Sequence, residues 1–322
     1  MKKLTIYDIA TLAGVSKSTV SRFLNGGYVS EKNREKIEKI VEEHNFKRSD
    51  SAVSLRTNEN QTIGIIVPRI DSYAASNVVK GILQAVNQMD FNSEILTSEM
   101  DFGKEVEAYR KLKQRNVKGI IALATNMTEE YESMLVELGI PVVIFGQECK
   151  NVSCVYHDVV AAVETFCTEL FPSTIQRNQS VVLLGPKGDD KMLASTINTY
   201  LTSLESKGLT VHHVHTDFSW QDSYDNVEAA LKLSNHILCL TDNIAYGAYK
   251  YAQKNGLQVG KDVHISGNGG YDTSSILTPE LSTIYYPYLQ AGMEAVKLLV
   301  NSDNVTKLKL GYSISKTDSF SA

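Results

Sequence analysis

The stretch Thr5-Ile-Tyr-Asp-Ile-Ala-Thr-Leu-Ala-Gly-Val-Ser-Lys-Ser-Thr-Val-Ser-Arg-Phe-Leu-Asn25 predicts two short helices separated by a tight turn. Thr5 and Asp8 have the spacing of an N-terminal capping box. Apolar residues then recur with the period of a helix, at Ile6, Ile9, Ala10 and Ala13. We expect Gly14 to end the first helix and Ser16 to cap the second. This arrangement is typical of a helix-turn-helix.

The second helix of this motif has an apolar face and a polar face. The residues expected to pack on the first helix are Val20, Phe23 and Leu24. The residues expected to face outward are Lys17, Ser18, Ser21 and Arg22. At the start of a recognition helix, Lys17 and Ser18 can reach base edges, and Arg22 can donate two parallel hydrogen bonds to a guanine. Thr19 and Ser21 suit contacts with phosphates. A surface helix pair in another helical domain would present the same face, so both interpretations stay open.

The charge distribution favours the DNA-binding interpretation. The whole chain has a net charge of −5, which by itself argues against a nucleic-acid partner. Residues 1–57 hold eleven Lys and Arg against seven Asp and Glu, so this part carries about +4 and the remainder about −9. The basic part of the chain is therefore the helix-turn-helix part.

The run Asp8-Ile-Ala-x-x-Ala-Gly-Val-Ser-x-x-Thr-Val-Ser-Arg-x-Leu-Asn25 resembles the headpiece of the LacI/GalR family of bacterial transcription regulators. The resemblance implies that Lys17 and Ser18 read variable bases and that Arg22 reads a more constant one. It also places Asn25 at the end of the recognition helix, near the DNA backbone. The full set of residues expected at the DNA is Thr5, Ser16, Lys17, Ser18, Thr19, Ser21, Arg22, Asn25, Ala52 and Leu55.

A third helix and a linker follow the motif. Ser30 is expected to cap a helix that runs to about His44, and residues 46–60 are polar with few large apolar groups. In the resembled family this linker is a hinge helix that folds on operator DNA. Leu55 stands where the family has its minor-groove wedge, which unstacks a base step and bends the duplex.

The linker departs from the family pattern at Arg48, Ser49 and Val53. The first two stand in place of a usual Pro-Asn pair, and the third stands in place of a usual arginine. A flexible tether without DNA contact is therefore the alternative to a hinge helix. We predict a headpiece over residues 1–46, a hinge over residues 47–60, and an effector-binding and dimerisation core over residues 61–322.

From residue 61 the pattern becomes strand, helix, strand, helix. Apolar runs suited to buried parallel strands occupy residues 63–67, 120–124, 142–145, 181–184, 237–240 and 263–266. Helical stretches between them include residues 78–89, 105–115 and 245–255. This alternation predicts an α/β core of two doubly wound units.

The core also resembles that of the LacI/GalR family, which has the type I periplasmic-binding-protein fold with an effector in the cleft between two subdomains. The resemblance implies an N-subdomain of residues 61–156 and 287–311 and a C-subdomain of residues 157–286 and 312–322. Within the family the chain is most similar to repressors of trehalose and sucrose operons. In these an arginine just after the first core strand binds a sugar phosphate, and Arg69 matches that position.

Ligands of open parallel sheets bind beyond the carboxyl ends of the strands, so residues after the predicted strands are effector candidates. Arg69 can hold a phosphate or carboxylate bidentately, with Ser72 and Tyr73 beside it. Alternatively, Arg69 pairs with Asp71 on the surface. Asp242 matches the family's aspartate that accepts hydrogen bonds from sugar hydroxyls, and its alternative role is to cap the helix that begins there.

Three further pocket positions depart from the family. Gln147 and Thr196 stand where an arginine is usual in the family, and Gly267-Asn268-Gly269 stands in place of a usual Gly-Phe-Asp. The neutral groups of Gln147, Thr196 and Asn268 can still hydrogen-bond a sugar. His157 and Asp158 are expected to add a polar pair at the crossover to the second subdomain. We therefore expect a sugar or a sugar phosphate as the effector.

Several function classes have no residues to support them. No glycine-rich phosphate loop, nucleophile elbow or metal-protease motif occurs, so we do not expect an enzyme. The four cysteines lack a Cys-x-x-Cys spacing and are expected to be buried thiols and not disulfides or metal ligands. His213 and His215 have a spacing compatible with a metal but no identifiable third ligand, so we expect no metal, and we expect no cofactor. No stretch approaches the roughly 18 apolar residues of a membrane span, and no signal peptide opens the chain. We expect a cytoplasmic protein without a membrane partner.

These expectations combine into a homodimeric, DNA-binding transcription regulator, a repressor of a sugar-utilisation operon. Its partners are double-stranded operator DNA, a sugar or sugar-phosphate effector that releases it from the operator, and a second copy of the chain. The alternative is a global regulator whose core binds a partner protein.

Overall fold

The computed structural model describes residues 4–24, 26–44, 46, 61–124, 126–172, 179–188, 191–302 and 304–320. The chain divides into two compact units, Met1–Asn60 and Gln61–Ala322, which are described separately. Asn25 and the whole predicted hinge, with Ala52 and Leu55, lie outside the described residues.

The first unit contains the helices α1 (Ile6–Ala13), α2 (Lys17–Leu24) and α3 (Glu31–Glu43). The predicted capping box is confirmed, because the Asp8 N–H donates to Thr5 Oγ1 (3.3 Å) and the Thr5 N–H donates to the Asp8 carboxylate (2.7 Å). Gly14 ends α1 with a φ of 65°, in the left-handed region that favours glycine. Each helix contributes one fully buried side chain to a small core, namely Ile9, Val20 and Ile37.

Two details of these helices differ from the prediction. Ser30 occupies the N-cap position of α3, but its side chain accepts no hydrogen bond from that helix. The prediction that Ser21 faces outward is wrong, because Ser21 is only 6% exposed. Val20, Ser21 and Leu24 share one side of α2, so a small residue between two apolar ones is drawn into the packed face.

The second unit contains twelve strands in its described part. In chain order they are β1 (Thr62–Val67), β2 (Asn92–Thr97), β3 (Gly119–Leu123), β4 (Val142–Phe145), β5 (Ser153–His157), β6 (Ser180–Gly185), β7 (Thr210–His215), β8 (His236–Cys239), β9 (His264–Ser266), β10 (Thr283–Tyr285), β11 (Lys307–Leu310) and β12 (Ser313–Ser315). The helices are α4 (Tyr73–Gln88), α5 (Phe102–Gln114), α6 (Glu129–Glu137), α7 (Val159–Leu170), α8 (Lys191–Glu205), α9 (Trp220–Leu231), α10 (Asp242–Lys254) and α11 (Tyr288–Asn301). A short 3-10 helix spans Asp272–Ile276.

These strands form two parallel sheets and a small ribbon. The first sheet has the order β11-β5-β4-β3-β1-β2 and the second has the order β7-β6-β8-β9. Strands β10 and β12 pair antiparallel. Helices follow the strands in both sheets, so the predicted doubly wound α/β arrangement is confirmed.

Apolar side chains cover both faces of the first sheet. One cluster joins β1, β3 and β4 to α4 and α11, and another joins the opposite face to α5 and α6. A third cluster surrounds the second sheet. Helices α4 and α11 pack very closely, because a Cβ atom on Gly81 would lie 2.0 Å from the Leu289 carbonyl oxygen.

The element boundaries differ from the prediction mainly where the sequence is polar. Helix α4 begins at Tyr73, before the predicted residue 78, because Ser72 caps it by accepting the Ala75 N–H at 3.4 Å. Strand β2 was not predicted, since its sequence Asn-Ser-Glu-Ile-Leu-Thr is that of a half-exposed edge strand rather than an apolar run. All four cysteines are free and buried, as predicted. None of the described helices has both the length and the apolar character that crossing a membrane requires.

Candidate functional site

The exposed face of α2 carries the predicted base readers. Lys17, Ser18 and Arg22 are exposed, as is Ser16 just before the helix. Ser16 caps α2 as predicted, because its Oγ accepts the Thr19 N–H at 3.2 Å. The same Oγ lies 2.7 Å from Ser18 Oγ and 2.8 Å from Thr19 Oγ1. The hydroxyl groups are thus gathered at the helix N-terminus, a favourable position for a phosphate.

Two exposed residues at the start of the chain, Thr5 and Tyr7, are also relevant to DNA binding. Thr5, a predicted DNA contact, uses its hydroxyl in the capping box of α1. Tyr7 is 67% exposed, and Lys17 Nζ lies 5.2 Å from the centroid of its ring. A cation over an aromatic ring is stabilised, so Tyr7 orients Lys17. Tyr7 was not among the residues predicted from the sequence. The feature that could have indicated it is a large aromatic side chain on the polar face of an amphipathic helix.

A cavity of about 500 Å³ lies within the second unit, at the carboxyl ends of strands from both parallel sheets. Five of the predicted effector residues line it, namely Arg69, Ser72, Tyr73, Thr196 and Asn268. Aromatic side chains that were not predicted also line it, namely Phe145, Phe218, Tyr246, Tyr271, Tyr286 and Tyr288. These rings come from different strands, helices and loops, so no local motif predicted them.

Two contacts hold the Arg69 side chain in the wall of this cavity. Its Nε donates to the Asp71 carboxylate at 2.7 Å, and its guanidinium carbon lies 5.3 Å from the centroid of the Phe218 ring. The side chain is 34% exposed. The alternative pairing with Asp71 is therefore observed, and the same guanidinium also lines the cavity.

Tyr73 makes a contact that spans the two sheets. Its ring stacks on Tyr271 with centroids 4.0 Å apart, and its hydroxyl accepts the Asp272 N–H at 3.0 Å. Tyr73 follows β1 of the first sheet, whereas Tyr271 follows β9 of the second. Opening or closing of the cavity would have to break or remake this stack.

His157 lines the same cavity and is more deeply buried than Arg69. It is 8% exposed and packs against Phe145, Tyr286 and Tyr288, with ring centroids 5.8, 5.2 and 5.6 Å away. Burial lowers the pKa of His157 to about 4, while the nearby Gly311 backbone opposes the shift. The imidazole is therefore neutral near pH 7.

Residues 5–49 match the model of bacterial regulatory proteins of the lacI family. Residues 60–309 match the model of periplasmic binding proteins and the sugar binding domain of the LacI family. The chain belongs to the LacI family. The predicted DNA-binding regulator, with a helix-turn-helix and a periplasmic-binding-protein-like core, is thereby confirmed.

LacI-family relatives match along nearly the whole chain. The sucrose operon repressor of Staphylococcus xylosus is 29% identical over 309 residues, which cover 91% of this chain and 92% of that protein. The HTH-type transcriptional regulator TreR of Escherichia coli (strain K12) is 29% identical over 302 residues, which cover 92% of this chain and 93% of that protein. Both relatives are named as transcription regulators, not enzymes.

The fold of this LacI-family chain is also found in a solved structure. A crystal structure of the Lac repressor bound to ONPG in the repressed state has a TM-score of 0.86 and 21% sequence identity. The match covers 99% of this chain and 100% of that chain. It supports the predicted two-part fold.

Asp242 does not cap the helix that begins at this position, and it does not line the cavity in this LacI-family core. It is fully buried, and its carboxylate accepts hydrogen bonds from Ser274 Oγ (2.7 Å), Thr283 Oγ1 (2.6 Å) and the Tyr271 N–H (2.7 Å). Burial raises the pKa of Asp242, and these hydrogen bonds oppose the shift. Thr241, not Asp242, caps α10. Asp242 therefore fixes the loop that carries Tyr271, and its contact with a sugar stays a prediction.

Gln147 and Asp158 also differ from their predicted positions. Gln147 does not line the cavity, because its side-chain amide donates to the Ala124 carbonyl oxygen at 3.0 Å and fixes the segment after β3. Asp158 does not pair with His157. Its carboxylate instead caps α7 and lies 2.9 Å from Lys309 Nζ, which points the charge away from the imidazole.

Thr196 and Asn268 line the cavity as predicted. Thr196 Oγ1 donates to the Met192 carbonyl oxygen at 2.9 Å, within α8. Asn268 is 8% exposed, and its side-chain amide donates to the Tyr200 hydroxyl at 3.3 Å. Their binding of an effector stays a prediction.

Proposed function

We propose that this LacI-family protein is a homodimeric repressor whose affinity for operator DNA changes when a sugar or sugar phosphate occupies the core cavity. The observation that carries this proposal is the uneven chemistry of the cavity. Among the described residues that line it, Arg69 is the only cationic side chain. The rest of the lining is aromatic, aliphatic and neutral polar, apart from Asp71, which pairs with Arg69.

The proposed DNA contacts are the exposed or half-exposed residues of the helix-turn-helix, namely Thr5, Ser16, Lys17, Ser18, Thr19 and Arg22. Ser21 leaves this set because it is buried. Asn25, Ala52 and Leu55 are proposed from the family resemblance alone. Two headpieces reading a near-palindromic operator in successive major grooves require a dimer, and bacterial operator DNA places the protein in the cytoplasm.

A sugar phosphate would match the cavity in one orientation, with its phosphate at Arg69 and its sugar against the aromatic and neutral polar side chains. The guanidinium of Arg69 can hold phosphate oxygens bidentately. Aromatic rings can cover the apolar faces of a sugar, while Thr196 and Asn268 hydrogen-bond its hydroxyls. The relative named as a sucrose operon repressor makes sucrose and sucrose 6-phosphate direct probes of this proposal. We propose binding alone, with no cofactor and no catalysis.

Regulation requires that the effector prefer one arrangement of the core. A ligand with equal affinity for the operator-binding and operator-releasing arrangements would not change DNA binding at all. The stack of Tyr73 on Tyr271 spans the two sheets, so it is a contact whose strength would differ between the arrangements.

Calorimetric titration of the full-length protein tests the effector class. The probes are trehalose 6-phosphate, sucrose 6-phosphate, trehalose and sucrose. We expect a phosphorylated sugar to bind, and Arg69→Ala to weaken that binding by about tenfold or more, as for a lost charged hydrogen-bonded contact. Arg115→Ala, which removes the same charge outside the cavity, should not weaken it.

Two results would contradict this proposal. Equal binding of phosphorylated and unphosphorylated sugars, unaffected by Arg69→Ala, would assign Arg69 to its ion pair with Asp71. No binding of any of the four sugars would remove this class of effector.

A further inference from the structure

Two neighbouring side chains in the cavity contain buried polar atoms without partners. Neither ring nitrogen of His157 nor the hydroxyl of Tyr286 makes a hydrogen bond of ordinary length and angle among the described residues, although the backbone of Gly311 interacts with the His157 ring and raises its pKa slightly against the effect of burial. The two rings lie 5.2 Å apart. Buried polar groups are nearly always paired, because a group that leaves water without finding a new partner is destabilising. Two such groups in contact therefore point to a partner that arrives from outside the chain.

These two residues also lie where the chain crosses between the two sheets. His157 ends β5, and Asp158 begins the crossover to α7. Tyr286 lies between β10 and α11. The backbone of Gly311, between β11 and β12, adjoins the His157 ring. A rotation of one sheet against the other has to change backbone torsions in these segments.

The chemistry of the pair matches a hydroxyl group. A neutral imidazole offers one N–H donor and one acceptor nitrogen, and a tyrosine hydroxyl both donates and accepts. A sugar hydroxyl has the same two capacities. A phosphate lacks a donor when fully ionised, and its charge would be poorly solvated beside Phe145 and Tyr288. The His157 end of the cavity therefore suits the uncharged part of a ligand whose anionic group is at Arg69.

We propose that His157 and Tyr286 bind a hydroxyl group of the effector after the crossover segments have moved, and that this contact couples effector binding to operator affinity. The inference rests on the proposed effector function of the cavity. Because the three polar atoms are buried in the described arrangement, a ligand hydroxyl reaches them only in a rearranged core. The effector then binds the rearranged core better, which is the differential affinity that regulation needs.

The test measures a coupling ratio in the full-length protein. This ratio is the affinity for a sugar without operator DNA divided by its affinity with saturating operator DNA. The probe is whichever of trehalose 6-phosphate, sucrose 6-phosphate, trehalose or sucrose binds the wild type. Tyr286→Phe removes one oxygen, and His157→Phe removes both nitrogens while keeping an aromatic ring. Each should bring the ratio about fivefold or more closer to one, whether the sugar releases or strengthens DNA binding.

Two substitutions outside the cavity serve as matched controls. Tyr249→Phe removes a hydroxyl that donates to the Pro279 carbonyl oxygen at 2.9 Å, and His236→Phe replaces another buried imidazole. Both should keep the wild-type ratio. Monodeoxy analogues of the bound sugar complete a thermodynamic cycle, because the analogue that lacks the contacted hydroxyl should be insensitive to Tyr286→Phe.

The outcomes separate this inference from the proposed function. If a sugar binds and changes operator affinity but Tyr286→Phe and His157→Phe keep the wild-type ratio, this inference is overturned and the proposed function stands. If none of the four sugars binds the wild type, both are overturned. Should His157→Phe not fold, Tyr286→Phe, which differs by a single atom, decides the matter alone.

Discussion

The headpiece and the core present their candidate functional side chains in different ways. In the headpiece, Lys17, Ser18 and Arg22 lie within two turns of one helix and are exposed to solvent. In the core, Arg69 and Tyr286 line the same cavity although they follow strands far apart in the chain. A residue of the recognition face can therefore be changed without disturbing packing, whereas most cavity residues also hold the core together.

This difference predicts how far function and stability can be separated. Substitutions of exposed residues of α2 should change DNA affinity with little effect on the free energy of unfolding. Substitutions inside the core should change unfolding of the core and leave the headpiece folded, because each unit has its own buried cluster.

The close packing of α4 on α11 gives the largest effect. Gly81→Val should destabilise the core by about 3 kcal/mol, because a Cβ atom at this position meets the Leu289 carbonyl oxygen at 2.0 Å. Lys80→Val puts the same side chain at an exposed position of α4 and is the control. Trp220, the single tryptophan and a residue of the core, reports core unfolding in urea. Unfolding of the headpiece together with the core would contradict the independent stability of the two units. An unchanged stability of the core would contradict the close packing at Gly81.

Arg22→Ala should affect DNA binding alone. We expect a loss of about 2 kcal/mol in binding to a specific operator and a much smaller loss on random DNA, because a bidentate base contact is removed. The urea midpoint should not change. Lys39→Ala removes the same charge from α3 and is the control for general electrostatics. An equal loss on both DNAs would reassign Arg22 to the phosphate backbone.

The core should lose stability in mild acid. Burial lowers the pKa of His157 and of His236 to about 4. In the unfolded chain a histidine has a pKa of about 6.5, so between these values the unfolded state binds more protons and stability falls as the pH falls. His236→Gln should remove about 1 kcal/mol of this pH dependence. Urea unfolding at pH 7, 6 and 5 measures it, and identical slopes for wild type and variant would contradict the buried neutral state.

Asp71→Asn should give the smallest effect. Asp71 is 74% exposed and pairs with Arg69, so it competes with any phosphate for the guanidinium. Since exposed ion pairs contribute about 0.5 kcal/mol, its removal should strengthen phosphosugar binding about twofold without changing stability. Glu129→Gln, which breaks the exposed pair with Lys150, is the control. Weaker binding in the Asp71 variant would show that Asp71 orients Arg69 instead of competing with the ligand.

Most of the headpiece could be predicted from the sequence because the patterns that define it are local. The capping pair Thr5 and Asp8, the left-handed Gly14 and the helical spacing of apolar residues all lie within a few turns of one another. Ser21 was wrongly predicted to be exposed because it lies at the border between the polar and apolar faces of its helix. At such a border a small rotation of the helix determines whether a side chain is buried. Tyr7 was missed because its role depends on Lys17 of another helix.

Only part of the core could be predicted from the sequence. Apolar runs predicted the central strands, whereas the polar edge strand β2 has no such run. Asp242 matched a family motif, but its partners Ser274 and Thr283 come from other segments, and they take its carboxylate away from the cavity. His157 and Tyr286 meet only because the chain crosses between the sheets. Local patterns cannot reveal contacts that depend on how distant segments pack.

The most direct test of the central claim is operator affinity measured with and without effector. The full-length protein would first select its operator from random duplexes, and binding would then be titrated at one fixed salt concentration with each of the four sugars at saturation. We predict that at least one phosphorylated sugar changes operator affinity by about tenfold or more, and that Arg69→Ala raises the sugar concentration needed for this change by about tenfold or more while keeping the operator affinity measured without sugar. Specific operator binding that none of the four sugars alters would contradict the account.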